Sequence, residues 1–330
     1  MKRLVALLLL TAIICLAFFA GCAKEQEIRK VRLNEVTRSV FYAPQYVAAA
    51  NGYFAEEGLE VEITTGGGSD KTMTALLSGQ ADIGLMGPET GVYVYNEGKE
   101  DHPVIVGQLT KRDGSFLIGR TEEQDFKWES LKGKTIIGGR KGGMPLMTFL
   151  YVLKEHGLTP GTDVTVIDNI QFNLMGGAFE GGTGDYVTLF EPVASTFALA
   201  GKGHIVASVG EASGEVPYTT YMVSKQMLKD DPAFVESFLR AIYKAQKWVI
   251  AATDEEVAKA IQPFFPDASM EVLTSVAHNY RTTDSWKDVP TMEEKDFERM
   301  LTIIDSAGEL KAKVPFAELV DNSLAAKAMK

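Results

Sequence analysis

From Val31 to Val209 the chain alternates short apolar strands with helices, and this rhythm limits its fold more than any other feature. Val31–Val36 alternates apolar and polar residues, as a strand with one buried face does. Pro44 suits the first turn of the helix that follows, where its missing N–H costs nothing. Further strands are expected at Leu59–Ile63, Ala81–Met86, Val104–Leu109, Lys134–Gly138, Val164–Ile167, Tyr186–Phe190 and His204–Val209. Helices are expected at 71–78, with Ser69 or Asp70 as its cap, and at 89–96, 144–156, 172–180 and 193–200. Alternation of this kind specifies an α/β protein with mostly parallel sheets covered by helices.

The pattern has an internal echo. Ala75–Ile83 and Ala178–Tyr186 align at an offset of 103 residues; each ends a helix at Gly, turns at Asp and enters a strand, with a Pro soon after (Pro88, Pro192). Any helix-to-strand corner could look like this, but two α/β lobes of similar topology account for both the echo and the 330-residue length. Past residue 230 the rhythm changes to helices. Asp231-Pro232 opens one with Phe234, Phe238, Ile242, Ala245 and Val249 on a single face. Residues 271–280 supply another, and Thr291 with Glu294 suggests a capping box for a third. These stripes are expected to add bulk to a lobe already built, not chemistry.

The first residues read as an address. Lys2 and Arg3 precede an uncharged run, Leu4–Ala20, which ends at Gly21-Cys22. Residues 1–21 are expected to be a signal peptide and 22–30 a tether. The small residues before Cys22 resemble a bacterial lipobox, which implies lipidation of Cys22 and export to the outer face of the cell membrane or the periplasm. An uncleaved anchor helix is the alternative. Removal of residues 1–21 leaves 31 Lys+Arg against 44 Asp+Glu, a formal charge of −13. That acidity argues against nucleic acid as a partner. Both Cys lie in the first 22 residues, so a disulfide framework is excluded, and lipidation would leave no thiol for catalysis or metal binding.

Ligands of open α/β sheets bind at the carboxyl ends of strands, beside helix N-termini. Three such junctions here are rich in Gly: Gly66-Gly67-Gly68-Ser69-Asp70, Gly87-Pro88-Glu89-Thr90 and Gly142-Gly143-Met144-Pro145. Gly lets backbone N–H groups approach a ligand, and each helix start carries partial positive charge. Aromatic residues collect at the junctions and could stack on a planar ligand, although any one of them could equally be core. Glu89 and Glu191 are the acids best placed to accept ligand N–H donors, or else only answer a helix dipole. The candidate ligand-binding residues are Ser39, Phe41, Tyr42, Gly67, Ser69, Asp70, Glu89, Thr90, Gly143, Met144, Asn169, Tyr186 and Glu191. Arg38, Arg140 and Lys141 could instead meet an anion. No GxxxxGK[ST], strand-following GxGxxG, HExxH or GxSxG occurs, and the four His are scattered. No catalytic residue, cofactor or metal site is expected.

The run Pro44-Gln-Tyr-Val-Ala-Ala-Ala-Asn-Gly-Tyr-Phe-Ala-Glu-Glu-Gly-Leu-Glu-Val61 resembles the opening of solute-binding proteins of the nitrate/sulfonate/taurine class. Ala75–Gly84, Gly184-Asp185 and Glu191-Pro192 are similar to further stretches of that family. The resemblance implies a two-lobed periplasmic-binding-protein-like fold (type II), each lobe a mixed sheet flanked by helices, and a monomer that closes on a small ligand. It also implies permease and ATPase subunits of an ABC importer as partners. Crossovers are expected near Arg112–Gly119 and Ser213–Met222. They would put 31–112 and 220–330 in one lobe and 113–219 in the other. The class includes binders of thiamine-pyrimidine precursors, riboflavin-like compounds, sulfonate, taurine and nitrate. Glu89, Glu191 and the aromatics favour a flat heterocycle over an anion. A secreted enzyme or sensor on the same scaffold stays open, since fold does not fix function. A fungal pyrimidine synthase shares the fold but uses a Cys-rich segment that this chain lacks.

Overall fold

The computed structural model describes residues 28–330. The expected signal peptide, Cys22 and most of the expected tether lie outside the described residues. The first strand begins at Arg29, two residues inside the segment expected to be tether.

Among the described residues, ten strands form two five-stranded sheets. The first contains β1 (Arg29–Glu35), β2 (Leu59–Thr65), β3 (Ile83–Met86), β4 (Val104–Thr110) and β10 (Thr219–Val223), in the order β2-β1-β3-β10-β4. The second contains β5 (Ser115–Gly119), β6 (Thr135–Ile137), β7 (Thr165–Ile167), β8 (Tyr186–Phe190) and β9 (His204–Ser208), in the order β7-β6-β8-β5-β9. In the first sheet β1 pairs parallel with β2 and β3, while β10 runs antiparallel to β3 and β4. In the second, β6 pairs parallel with β7 and β8, while β5 runs antiparallel to β8 and β9. Each sheet therefore receives an antiparallel strand at the same place. Both of these strands lie in the segments expected to be crossovers.

Burial follows position in the sheets. The inner strands β3, β5 and β10 are buried along their whole length, and so is edge strand β4, whose outer side meets Val320 and Trp286 through isolated bridges. Edge strand β2 buries only Leu59 and exposes every second residue or more.

The echo is a repeated corner. Before β3, the Arg32 and Asp82 backbones and the Asp82 carboxylate form a reciprocal pair: Arg32 N–H donates to Asp82 Oδ2 at 2.8 Å, and Asp82 N–H to Arg32 O at 2.8 Å. Before β8, Thr135 N–H donates to Asp185 Oδ2 at 2.8 Å, and Asp185 N–H to Thr135 O at 2.7 Å. The offset of 103 that relates the two Asp also relates Arg32 to Thr135.

The helices used below are α1 (Ala43–Ala50), α2 (Ser69–Leu77), α3 (Glu89–Asn96), α4 (Met144–Glu155), α5 (Phe172–Glu180), α6 (Val193–Leu199), α7 (Pro232–Ala251), α8 (Met270–Thr282) and α9 (Glu294–Ser306). Pro44 stands in the first turn of α1, and Asp231 caps α7 by accepting from Phe234 N–H. Two expected caps are not formed. Gly68, not Ser69 or Asp70, precedes α2, and Glu293, not Thr291, precedes α9, each without a side-chain cap bond. Among the described residues no helix is long and apolar enough to cross a membrane.

Candidate functional site

The parallel strands of both sheets point their carboxyl ends at a common seam. Among the contacts that join the two sides there, Ser39 Oγ donates to Glu191 O at 3.1 Å, Tyr93 OH donates to Gly142 O at 3.0 Å, and the Phe41 and Phe190 rings lie 6.0 Å apart. Ser39 also accepts from Phe41 N–H, which shapes the turn after β1. The Phe41 ring packs against Gly114, where an added Cβ would stand 2.7 Å from it. That turn and the Asp113–Ser115 segment can therefore touch only because residue 114 is Gly.

Glu89 opens α3 beside this seam and is 2 % exposed. Its Oε2 has no hydrogen-bond partner. Burial pushes the carboxyl up to about 7, against the pull of its own N–H and that of Met144, at the start of α4 on the opposite side. A buried acceptor left unpaired costs ~1–3 kcal/mol, so the position is expensive to keep for packing alone. Burial raises the Tyr42 phenol, and the Glu35 and Glu89 charges add to the rise.

Glu191 has the opposite surroundings. Its Oε1 accepts from Ser195 Oγ at 2.8 Å and Asn279 Nδ2 at 2.7 Å, and its Oε2 from Ser195 N–H at 2.8 Å. Burial raises its pKa while Asn279 and Ser195 hold it down. These bonds tie the start of α6 to α8 and occupy the lone pairs expected to receive a ligand.

The remaining candidates divide by place. Phe41, Tyr42 and Met144 are buried at the seam, and Gly143 precedes Met144 on its rim. Thr90 is at the seam, but its hydroxyl donates to Gly87 O at 2.7 Å. Ser69 accepts weakly from Gly87 N–H at 3.4 Å. Gly67, Asp70 and Asn169 are exposed. Tyr186 does not reach the seam. It opens β8, at the end away from Glu191, and its hydroxyl donates to Glu123 at 2.6 Å. Arg38 pairs with Glu35, and Arg140 bonds to Gln171.

The sequence reading missed several residues that the fold brings to the seam. Asp113 and Tyr218 are 1 % and 4 % exposed and lie on the two segments that run between the sheets. Phe190 stands between Phe41 and Phe172. The C-terminal helices were expected only to add bulk, yet α8 supplies Asn279 and also Tyr280, whose hydroxyl accepts from Glu191 N–H and donates to Gly114 O. The available signal was positional: side chains on crossover segments must border whatever lies between the lobes. An open depression of about 360 Å³, lined by Leu146, Leu150, Pro160, Gly161, Thr165, Val166 and Asp168, flanks β7 and includes none of the buried seam residues.

Residues 40–256 match the model of the family described as "NMT1/THI5 like". The chain belongs to the NMT1/THI5-like family. It is 46% identical over 308 residues, 93% of its own length and 92% of the relative's, to the "Putative binding protein YtlA" of Bacillus subtilis. It is also 26% identical over 227 residues, 64% of each chain, to the 4-amino-5-hydroxymethyl-2-methylpyrimidine phosphate synthase THI13 of Saccharomyces cerevisiae. Among solved structures it resembles the alkanesulfonate-binding protein SsuA from Xanthomonas axonopodis pv. citri, with a TM-score of 0.72 and 16% identity over 89% of this chain and 98% of that one. The NMT1/THI5-like chain thus has the two-lobed periplasmic-binding-protein-like fold, with mixed sheets flanked by helices.

Proposed function

We propose that this NMT1/THI5-like protein is an exported solute-binding protein that captures a small ligand between its two lobes for an ABC importer. It works as a monomer, tethered through a lipid on Cys22, and hands its ligand to permease and ATPase subunits. The lobes divide as 31–112 with 220–330 and 113–219. Hinge closure around the ligand is the signal the transporter reads. The 46% identity to a relative described as a binding protein, over nearly the whole of both chains, supports binding over catalysis.

The ligand is an aromatic heterocycle with N–H donors, such as a thiamine-pyrimidine precursor or a riboflavin-like compound. The unpartnered carboxylate oxygen of Glu89, buried at the seam, carries this reading. Of the three cations that could meet sulfonate, taurine or nitrate, Arg38 and Arg140 already bond to Glu35 and Gln171, which leaves Lys141. Thermal-shift screening against pyrimidines, flavins, sulfonates and nitrate tests the class. A ligand at 100 times its Kd adds ~2.7 kcal/mol of stability. A melting point that no compound in a broad metabolite set moves defeats solute capture, and one moved only by anions defeats the heterocycle.

A further inference from the structure

Glu191 is bonded across the seam through its side chain and through both of its backbone polar groups. Its carboxylate accepts from Asn279 Nδ2 at 2.7 Å, its N–H donates to the Tyr280 hydroxyl at 3.1 Å, and its carbonyl accepts from Ser39 Oγ at 3.1 Å. In the division of lobes proposed above, Glu191 belongs to 113–219 and all three partners belong to the other lobe. They come from two separate segments of it, the turn after β1 and helix α8. The grip widens at its edges. Asn279 Nδ2 also donates to Ser195 Oγ at 3.2 Å, the Ser195 and Ser275 hydroxyls lie 3.3 Å apart, and the Tyr280 hydroxyl donates to Gly114 O at 3.2 Å. Ser39, Glu191, Ser195 and Tyr280 are all buried, so little water competes for these bonds.

Two features suit these bonds to a contact that is made and broken. Ser195 N–H and Ser195 Oγ, from Glu191's own lobe, each hold its carboxylate at 2.8 Å, so Glu191 keeps its aim when the lobes part. Each bond across the seam is a hydrogen bond, so water can replace every lost partner and parting leaves no polar group orphaned. A second tie lies further along the C-terminal region. Lys154 Nζ, on α4, donates to the Ser306 carbonyl in the last turn of α9, where a cation also meets the negative end of the helix. Lys154 is exposed, which makes this tie the weaker one. Helices α8 and α9 each reach from one lobe to grip a helix of the other. All these bonds join residues of the chain, so they act whether or not the cleft is filled.

We propose that Glu191 and Asn279 form a polar latch between the lobes, and that this latch draws the protein into its closed setting before any ligand is bound. This rests on the two-lobe reading given under the proposed function. A ligand then meets a protein that opens from a closed resting state, and the strength of the Asn279 bond sets how often it opens. Asn279 is a positioning residue, because it acts through Glu191.

Hydrogen exchange and small-angle X-ray scattering on the mature chain, stripped of ligand, test the latch. Asn279→Ala removes the donor from a half-buried position. It should speed exchange of the Glu191 N–H at least about tenfold, the worth of a hydrogen bond to a charged group, and raise the radius of gyration. Asn279→Asp sets a second carboxylate against Glu191 and should do both more strongly; should it not fold, Asn279→Ala still decides. The amides of β5 and β8, which pair with each other within one lobe, should keep their rates. Faster Glu191 exchange at an unchanged radius would mean local loosening and overturns the latch. Equal acceleration in β5 and β8, or no change in either readout, overturns it as well. Neither readout needs a ligand, so solute capture stands or falls separately, on the thermal-shift screen.

Discussion

Glu89 and Glu191 each follow the third parallel strand of their sheet, beside a Pro and a short helix, and each is 2 % exposed. Their carboxylates nevertheless live differently. Glu191 takes three hydrogen bonds from Ser195 and Asn279, whereas Glu89 has an oxygen with no partner. Burial and residue type are the same, although Glu89 follows its Pro and Glu191 precedes its own, so neither burial nor residue type separates a structural acid from one that waits for a ligand. The count of satisfied lone pairs does.

The largest expected effect is on the satisfied side. Glu191→Ala strands Asn279 and Ser195 N–H in the interior and should cost about 3 kcal/mol in urea denaturation. A cost below about 1 kcal/mol would erase the distinction drawn here. Glu89→Gln should do the reverse to the free protein, raising stability by about 1–3 kcal/mol at pH 7, because an ionised group no longer has to be buried. The same substitution should weaken an amine-bearing ligand by about tenfold or more in calorimetry. Lower stability together with unchanged affinity would move Glu89 to the structural side.

The two acids also differ in what pH should reveal. Glu89 titrates at about 7 in the folded chain, above the ordinary carboxylate range. As pH rises from about 4.5 to 7 the unfolded chain loses this proton first, so stability from the group falls across that window and is level above it. Glu35, pushed up to about 7, and Asp113, pushed up to about 6, slope the same way, so the readout is the difference between the protein and Glu89→Gln. Their stability curves should converge near pH 4 and separate towards pH 7; parallel curves would show Glu89 to be no more buried as a charge than in the unfolded chain. The smallest effect concerns the repeated corner. Asp82→Ala and Asp185→Ala should each cost about 1 kcal/mol, the worth of one backbone N–H bond, with Asp82 somewhat dearer for its added pair with Arg32. A twofold disparity in the opposite sense would argue against equivalent corners.

Much of the scaffold was legible in the chain. The eight strands expected from alternation all appear within two residues of their observed limits, because their apolar runs are bounded by Gly, Asp or Pro. The two inserted strands, β5 and β10, were expected only as crossovers. SFLIG and TTYMV are five-residue runs outside the regular strand–helix alternation, and pairing with distant strands, not local pattern, makes them β. The site was less legible. Phe41, Tyr42, Glu89 and Met144 could be placed by their junctions, but Tyr186, offered as a ligand contact, opens its strand at the end away from Glu191. Asp113, Tyr218 and Asn279 carry no motif at all. Their roles depend on which hydrogen bonds neighbouring side chains leave open, and that is a property of three-dimensional packing.

The strand exchange between the sheets has a cost during assembly. β10 sits between β3 and β4, so the first sheet cannot be completed until the chain has travelled through all of the second sheet and come back. Until then β3 and β4 each present an unpaired apolar edge, an open template for any extended segment nearby. Self-association of this protein should therefore begin from half-built molecules that expose those two edges, and folding should be slowest to forgive substitutions in Thr219–Val223, the five residues that seal them.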